Sequence, residues 1–290
     1  MPKTKNVKSI TEYAKEWEGN AEADALWVIL TDSRYYGRKW DVSEFFSTGE
    51  EEIDRVFNYM KQKSITVPSG SFLDFGCGVG RNSKALRKRF ERGYGVDISE
   101  KMIELARSYV PDVKFMVNQK DSLEQFEDNS VDFVYSHIVL QHIPNKFQKK
   151  YIEEFLRILS PGGLALIQIP IKIINRQEIR PPLILRIKQR VKRLLPFIVK
   201  MKRWLIPPKS FSYEFKYEMH PMSDNEMRRI CENKGCIIEA APATNSCERD
   251  HNGRVEFYDL NEHKNTLQES ELSNRYLSCM YFIRKPFASV

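Results

Sequence analysis

Apolar positions recur at helical spacing from Ile10 to about Leu30, where Trp17, Leu26, Trp27 and Leu30 fall on the face that an amphipathic helix buries. The segment from Thr31 to Gly49 is too aromatic for a solvated linker, with Tyr35, Tyr36, Trp40, Phe45 and Phe46; it reads as a cover or as packing for the first helix. Ser47 or Thr48 is placed to cap a helix over 50–61, whose early acids suit the helix dipole. Short apolar runs near 71–75, 94–97, 113–117, 132–136 and 163–170 then alternate with helical patterns near 81–90, 100–108 and 146–159. That β-α-β rhythm predicts an α/β fold, a Rossmann-like doubly wound sheet, mostly parallel, with helices on both faces.

The rhythm breaks after residue 171. Ile184, Ile187, Val191, Leu194 and Ile198 keep helical spacing among basic residues, and Pro196 interrupts or restarts the helix. Ser223 or Asp224 caps a further helix to Asn233, with Gly235 as its stop. Strands follow over 236–241 and 276–285, separated by a polar stretch, 245–273, that reads as a long loop. The expected organisation is an N-terminal helical and aromatic cap over 1–50, a core over 51–171, a basic amphipathic insertion over 172–222 and a completion of the sheet over 223–290.

Charge refines this picture. The chain has a net charge of +7, but twelve Lys or Arg against one acid, Glu178, give the stretch from Lys172 to Lys209 a net +11, so the remainder is −4. The basicity belongs to the insertion and not to the fold, which argues against a nucleic-acid-binding domain. Lys and Arg beside Leu, Ile, Phe and Trp is the composition that anionic membrane surfaces attract. The readings are a helix resting on the core, peripheral contact with anionic membrane, or, least favoured, RNA binding. Five cysteines in no regular spacing, with no His/Cys cluster, point to a reduced chain without structural metal. No run of about 20 apolar residues and no apolar leader appear, so the expected location is cytoplasmic, or peripheral at the inner membrane surface.

The chemistry concentrates in Leu73-Asp74-Phe75-Gly76-Cys77-Gly78-Val79-Gly80-Arg81, followed by Gly95-Val96-Asp97. Glycines at such a turn let a ligand approach the backbone and permit positive φ, and the turn opens a helix whose amides favour an electron-rich partner. An acid at the tip of the next strand can accept bonds from both ribose hydroxyls. A dinucleotide fingerprint wants its third glycine three residues after the second, and that position is Arg81. The ligand is therefore a nucleoside derivative other than a dinucleotide.

The run Asp74-x-Gly76-x-Gly78-x-Gly80 resembles motif I of the class I S-adenosylmethionine-dependent methyltransferases. The likeness continues through Gly95–Ala106, Asp128–Ser136, Val139–Pro144 and the Pro161-Gly162-Gly163 turn, most closely as in type 11-like small-molecule enzymes. It implies a seven-stranded sheet with an antiparallel last strand, and S-adenosyl-L-methionine as cofactor. The implied cofactor residues are Asp74, Gly76, Cys77, Gly78, Gly80, Arg81, Asp97, Ile98, Met102, Asn118, Gln119 and Ser136. Asn118 or Gln119 stands where the family usually has an aspartate beside the adenine amine; an amide oxygen can accept there.

Candidate acid-base residues are His137 and His142, both following the fourth strand, and His220, each weighed against ordinary packing. The expected reaction is methylation, on oxygen in preference to nitrogen, of a small-molecule or glycan- or lipid-linked acceptor. The rival classes are a non-catalytic cofactor-binding module and an RNA methyltransferase, for which no Asn-Pro-Pro-Tyr type motif is present.

Overall fold

The computed structural model describes residues 8–173, 219–245, 255–258 and 276–287. The chain opens with α1, Ile10–Ile29, held by a capping box in which Ser9 and Glu12 bond reciprocally, and bent at Asp24. A short 3₁₀ turn at Ser33–Tyr35 leads to α2, Val42–Gln62. The core then runs β1 Ser71–Phe75, α3 Arg81–Arg87, β2 Arg92–Asp97, α4 Glu100–Tyr109, β3 Lys114–Val117, β4 Val131–Ser136, a 3₁₀ turn at Leu140–His142, α5 Asn145–Ile158 and β5 Leu159–Ile173. After the undescribed stretch come α6, Asp224–Asn233, and strands β6 Ile237–Ala240, β7 Ala243–Thr244, β8 Phe257–Tyr258 and β9 Tyr276–Arg284.

All strands join one sheet in the order β3-β2-β1-β4-β5-β9-β7-β8, with β6 also paired to β9. β3 through β5 pair in parallel, and β5–β9 is antiparallel. The expected mixed doubly wound sheet is present, but among the described residues it has nine strands rather than seven. The surplus is the short pair β7–β8, and β8 lies inside the stretch read as loop. Two-residue strands carry no period for a sequence pattern to show.

Alternation along the strands sorts the two core layers, because successive side chains point to opposite faces. Phe72, Phe133, Tyr135, Leu164 and Leu166 face α2, α3 and α4, whereas Leu73, Val134, Ala165 and Ile167 face α5 and α6. The aromatic stretch belongs to the first layer: Tyr35 stacks on Trp40 at 3.6 Å and Trp40 meets Phe45 edge-on at 5.6 Å.

Three expectations need correction. α2 starts at Val42, capped by Asp41, eight residues before the expected helix. Ser47 and Thr48 therefore lie inside it, their hydroxyls donating to the carbonyls of Glu44 and Phe45. Gly49, the last residue of the aromatic stretch, is a packing site inside α2: a Cβ there would stand 2.5 Å from the Arg81 carbonyl oxygen, so the glycine lets α2 close on the start of α3. Finally, α2 crosses the division drawn at residue 50, and β5 extends through Ile173, past the one drawn at residue 171. The basic stretch beyond Ile173, including its helical pattern over 184–198, lies outside the described residues. Among those described, no helix is long and apolar enough to cross a membrane.

Candidate active site

The order β3-β2-β1-β4 reverses direction between β1 and β4, and ligands of open α/β sheets bind outside the carboxyl ends of the strands at such a point. There β1 ends in the glycine loop. Gly76, Gly78 and Gly80 have φ of +74°, +53° and +86°, left-handed values that favour glycine at all three positions. Asp97 at the tip of β2 secures the loop: its Oδ2 accepts from the Gly78 amide at 2.9 Å and its Oδ1 from the Ser99 amide at 3.0 Å. Burial raises the Asp97 carboxyl above the usual range against those backbone donors.

Asp74 is buried and its Oδ2 accepts from the Ser83 hydroxyl at 2.6 Å. Burial pushes its carboxyl up to about 7. Cys77 is buried in the loop, and burial drives its thiol well above the ordinary value. Met102 is buried on α4, its amide donating to Ser99 Oγ at 3.1 Å. Ser136 ends β4 with its hydroxyl buried and, among the described residues, without a hydrogen-bond partner.

At the tips of β2 and β3, the Asn118 amide donates to the Asp97 carbonyl at 2.9 Å, and its side chain is buried. Its Nδ2 donates to the Lys120 carbonyl at 3.1 Å, which leaves Oδ1 as the acceptor. Gln119 is exposed and donates to the Ile98 carbonyl at 3.3 Å. Of the two residues, Asn118 is the one held in the interior.

Arg81, one of the cofactor residues that the resemblance implies, is buried. Its Nη2 donates to Glu52 Oε2 at 2.6 Å and its Nη1 to Thr48 Oγ1 at 3.3 Å. Glu52, on α2, is the centre of a polar cluster with no exposure: its Oε1 also accepts from Asn82 Nδ2 at 2.8 Å and the Tyr135 hydroxyl at 2.6 Å, and lies 2.7 Å from His137 Nδ1. Arg81 and His137 overcome the burial cost and hold the Glu52 carboxyl far below the ordinary carboxylate range.

The three candidate histidines separate into two places. His137 sits with Glu52 beside β1. His142 faces another way, its Nε2 3.0 Å from Gln141 Nε2 and its ring 5.8 Å from that of Trp17 on α1. His220 joins that second group through its backbone, its amide donating to the Gln141 carbonyl at 2.8 Å and its carbonyl accepting from Gln148 at 2.7 Å.

Two residues that the sequence did not single out complete the surroundings. Glu18 of α1 accepts from Ser99 Oγ at 2.6 Å and from the Lys101 amide, capping α4. Ile29, at the end of α1, rests on Gly78, where a Cβ would meet its Cδ1 at 2.5 Å. The first helix thus covers the glycine loop.

A parallel sheet with a glycine turn at its switch point and an acid at the next strand tip defines a nucleoside-binding α/β domain. Residues 73–167 match the model of a methyltransferase domain, so that part of the chain carries a methyltransferase domain of the S-adenosylmethionine-dependent kind. Among curated proteins the chain is 36% identical over 165 residues to a 2-methyl-6-phytyl-1,4-hydroquinone methyltransferase of Synechocystis, covering 55% of this chain and 50% of that one. It is 29% identical over 133 residues to a trans-aconitate 2-methyltransferase of Azoarcus, covering 45% and 51%. The chain thus spans about half the length of these relatives. The crystal structure of magnesium protoporphyrin IX methyltransferase from Synechocystis with bound S-adenosylhomocysteine superposes with a TM-score of 0.55 at 16% identity, over 94% of this chain and 99% of that one.

Proposed function

We propose that the protein transfers a methyl group from S-adenosylmethionine to an oxygen of a small-molecule acceptor. The observation that carries the reading is the closed unit of three left-handed glycines bonded through Gly78 to Asp97 at the switch point. The residues suit the group. Asp97 would accept from the ribose hydroxyls, Asn118 Oδ1 would accept from an adenine amine, and the buried Ser136 hydroxyl lacks a partner among the described residues. Gly76, Cys77, Gly78 and Gly80 form the turn against which the cofactor would lie; Asp74, Ile98, Met102 and Gln119 border it, and Arg81 backs it from the α2 side.

When bound, the cofactor supplies a methyl on a positively charged sulfur, a good leaving group. The protein's share is alignment of the acceptor and removal of one proton.

Calorimetry with S-adenosylhomocysteine and with NAD tests the first half: binding of the former and not the latter is expected, and tighter NAD binding overturns it. A panel of hydroxy acids, phenols, hydroquinones, sugars and amines, incubated with methyl-deuterated cofactor and read by mass spectrometry, tests the second half. Label confined to nitrogen products overturns O-methylation.

The acceptor class in this proposal includes lipid-linked molecules, because the net +11 of the stretch from Lys172 to Lys209 suits an anionic membrane surface. Each Lys or Arg near such a surface contributes on the order of 1 kcal/mol. Cosedimentation with anionic but not neutral vesicles, lost at high salt, is the expected result. Equal partitioning to both overturns it.

A further inference from the structure

We propose that Gln168 is a positioning residue for the cofactor site, holding the loop after β4 in a strained conformation that sets Val139 against the glycine turn. The inference rests on the methyltransferase reading and adds to it a residue, remote from the turn in sequence, that shapes the crevice.

The strain is at Ile138. Its φ is +59°, a left-handed value that glycine takes freely and that Asn, Asp and His take more readily than other side chains. Isoleucine is the opposite case, because its branched Cβ crowds the following carbonyl oxygen there. The other non-glycine residues with positive φ among those described are Arg38, Ser64 and Asn129, none of them branched at Cβ. A β-branched residue keeps such a conformation only where its surroundings over-determine it.

Those surroundings come from β5. The β4–β5 ladder ends at the pair Ser136 and Ile167, while β5 runs on to Ile173. Gln168 is thus the first residue of β5 beyond that ladder, and its side chain takes over from the backbone: its Oε1 accepts from the Ile138 amide at 2.8 Å. The side chain is wholly buried and fixed at its other end, where Nε2 donates to Ser278 Oγ at 2.6 Å and to Gln141 Oε1 at 3.2 Å. Ser278 of β9 also accepts from Thr244 Oγ1 of β7 at 3.0 Å, so the anchor is the sheet itself. A glutamine tied in this way does not follow the loop; the loop follows the glutamine.

The consequence reaches the turn one residue later. Val139 lies on Gly76: a Cβ built there would stand 2.3 Å from Val139 Cγ2 and 2.5 Å from its Cγ1. Gly76 and Val139 follow β1 and β4, the strands on either side of the switch point, so their contact fixes how far the loop stands from the turn. If Ile138 relaxed to negative φ, the chain would change direction at that residue and Val139 would leave Gly76. The crevice would then have a different wall.

The test uses the full-length, cofactor-free protein with methyl-labelled valine, and calorimetry with S-adenosylhomocysteine. In the unaltered protein, a nuclear Overhauser contact is expected between the Val139 methyls and the Gly76 α-protons. Gln168→Met keeps the length of the side chain without the amide; it should lose that contact and weaken binding about tenfold. Gln168→Glu keeps an acceptor oxygen for the Ile138 amide and gives up the amide donors, so it should lower the melting temperature yet keep affinity within about threefold. Adding Ile138→Gly to Gln168→Met should recover most of the lost affinity, because glycine holds a positive φ without a clamp. A Gln168 that only supports the fold would lower the melting temperature in both single variants and leave both affinities unchanged.

Absence of the Val139–Gly76 contact in the unaltered protein overturns the proposal, whether or not Gln168→Met folds. So does a folded Gln168→Met that binds S-adenosylhomocysteine as tightly as the unaltered protein or more tightly, or a double variant that recovers nothing. An unaltered protein that shows the contact, loses it in Gln168→Met and binds no S-adenosylhomocysteine overturns the methyltransferase reading instead. The two failures are thereby distinct.

Discussion

Two carboxylates near Arg81, Asp74 and Glu52, are both buried, and they end in opposite states. Asp74 has one neutral donor, the Ser83 hydroxyl, and burial pushes it up to about 7. Glu52 has a guanidinium, an amide, a phenol and an imidazole around it, and is held far below the ordinary range. Burial disfavours the charged form in both; the number and charge of the donors decide the outcome. The first arrangement leaves a carboxyl able to gain or lose a proton near neutrality, at the edge of the cofactor turn. The second leaves a permanent anion that organises its neighbours.

The largest effect should come from breaking the second arrangement. Glu52→Ala leaves Arg81 charged, 4% exposed and without its partner, which costs about 3–5 kcal/mol in comparable buried pairs. Urea denaturation of the cofactor-free protein checks this. A loss under about 1 kcal/mol would show that the pair is worth no more than a surface one.

The first arrangement is probed by pH. Because Asp74 is raised from 3.8 to about 7 in the folded state, the folded protein keeps a proton that the unfolded chain has released, so stability falls as pH rises through that window. A shift of that size corresponds to something on the order of 4 kcal/mol between pH 4 and 7. Asp74→Asn should flatten this part of the melting-temperature profile and leave Asp97, also raised, as the remaining contributor of the same sign. Glu52 works in the opposite sense: its stabilisation is present above the unfolded carboxylate pKa and is lost as pH falls below it. A profile that rises from pH 5 to 7 in the unaltered protein, and that Asp74→Asn does not change, would contradict the comparison.

These carboxylates also differ in how visible they are in the sequence. Asp74 and Asp97 announce themselves because glycines at fixed spacing and strand ends surround them, and both features follow from local backbone demands. Glu52 closes the run Glu50-Glu51-Glu52 and resembles the solvated acids of a first helical turn. Its one signal is phase. It shares a stripe with Phe45, Gly49, Ile53, Val56 and Met60, all buried, and an acid on that stripe requires partners. With the helix begun at residue 50, that phase could not be read. The start was hidden because Ser47, Thr48 and Gly49 are cap and break residues by propensity; the approach of α2 to Arg81 that makes Gly49 necessary is a tertiary contact. The positions of the core strands along the chain were legible from periodicity, whereas β7 and β8 depend on pairing alone.

Asp97 extends the comparison to an acid whose donors are backbone amides. Asp97→Ala should weaken S-adenosylhomocysteine binding by about 1.5–3 kcal/mol, the range for hydrogen bonds to a charged group. Gly78→Val should weaken it at least as much, since φ is +53° there and the new Cβ would meet Ile29. Calorimetry at one salt concentration is the measurement. Binding by both variants at the unaltered strength would remove the turn from the cofactor site.

The smallest effect belongs to Glu18, a carboxylate that is neither enclosed like Glu52 nor starved of donors like Asp74. It stands at the first turn of α4, accepting from Ser99 Oγ and the Lys101 amide. A negative group there gains from the free amides and from the positive end of the helix, typically 0.3–1 kcal/mol at a partly exposed position. The contact is also one of the ties that hold α1 over the loop, 81 residues away along the chain. Glu18→Gln keeps an acceptor oxygen and removes the charge, so it should cost only a few tenths of a kcal/mol in global stability. Its larger consequence should be local, with faster amide hydrogen exchange in α1 than in β1 or β4, because an element tied by few bonds opens before the core does. If α1 and the core strands exchange together in both proteins, α1 is an integral part of the core layer and Glu18 is only a cap.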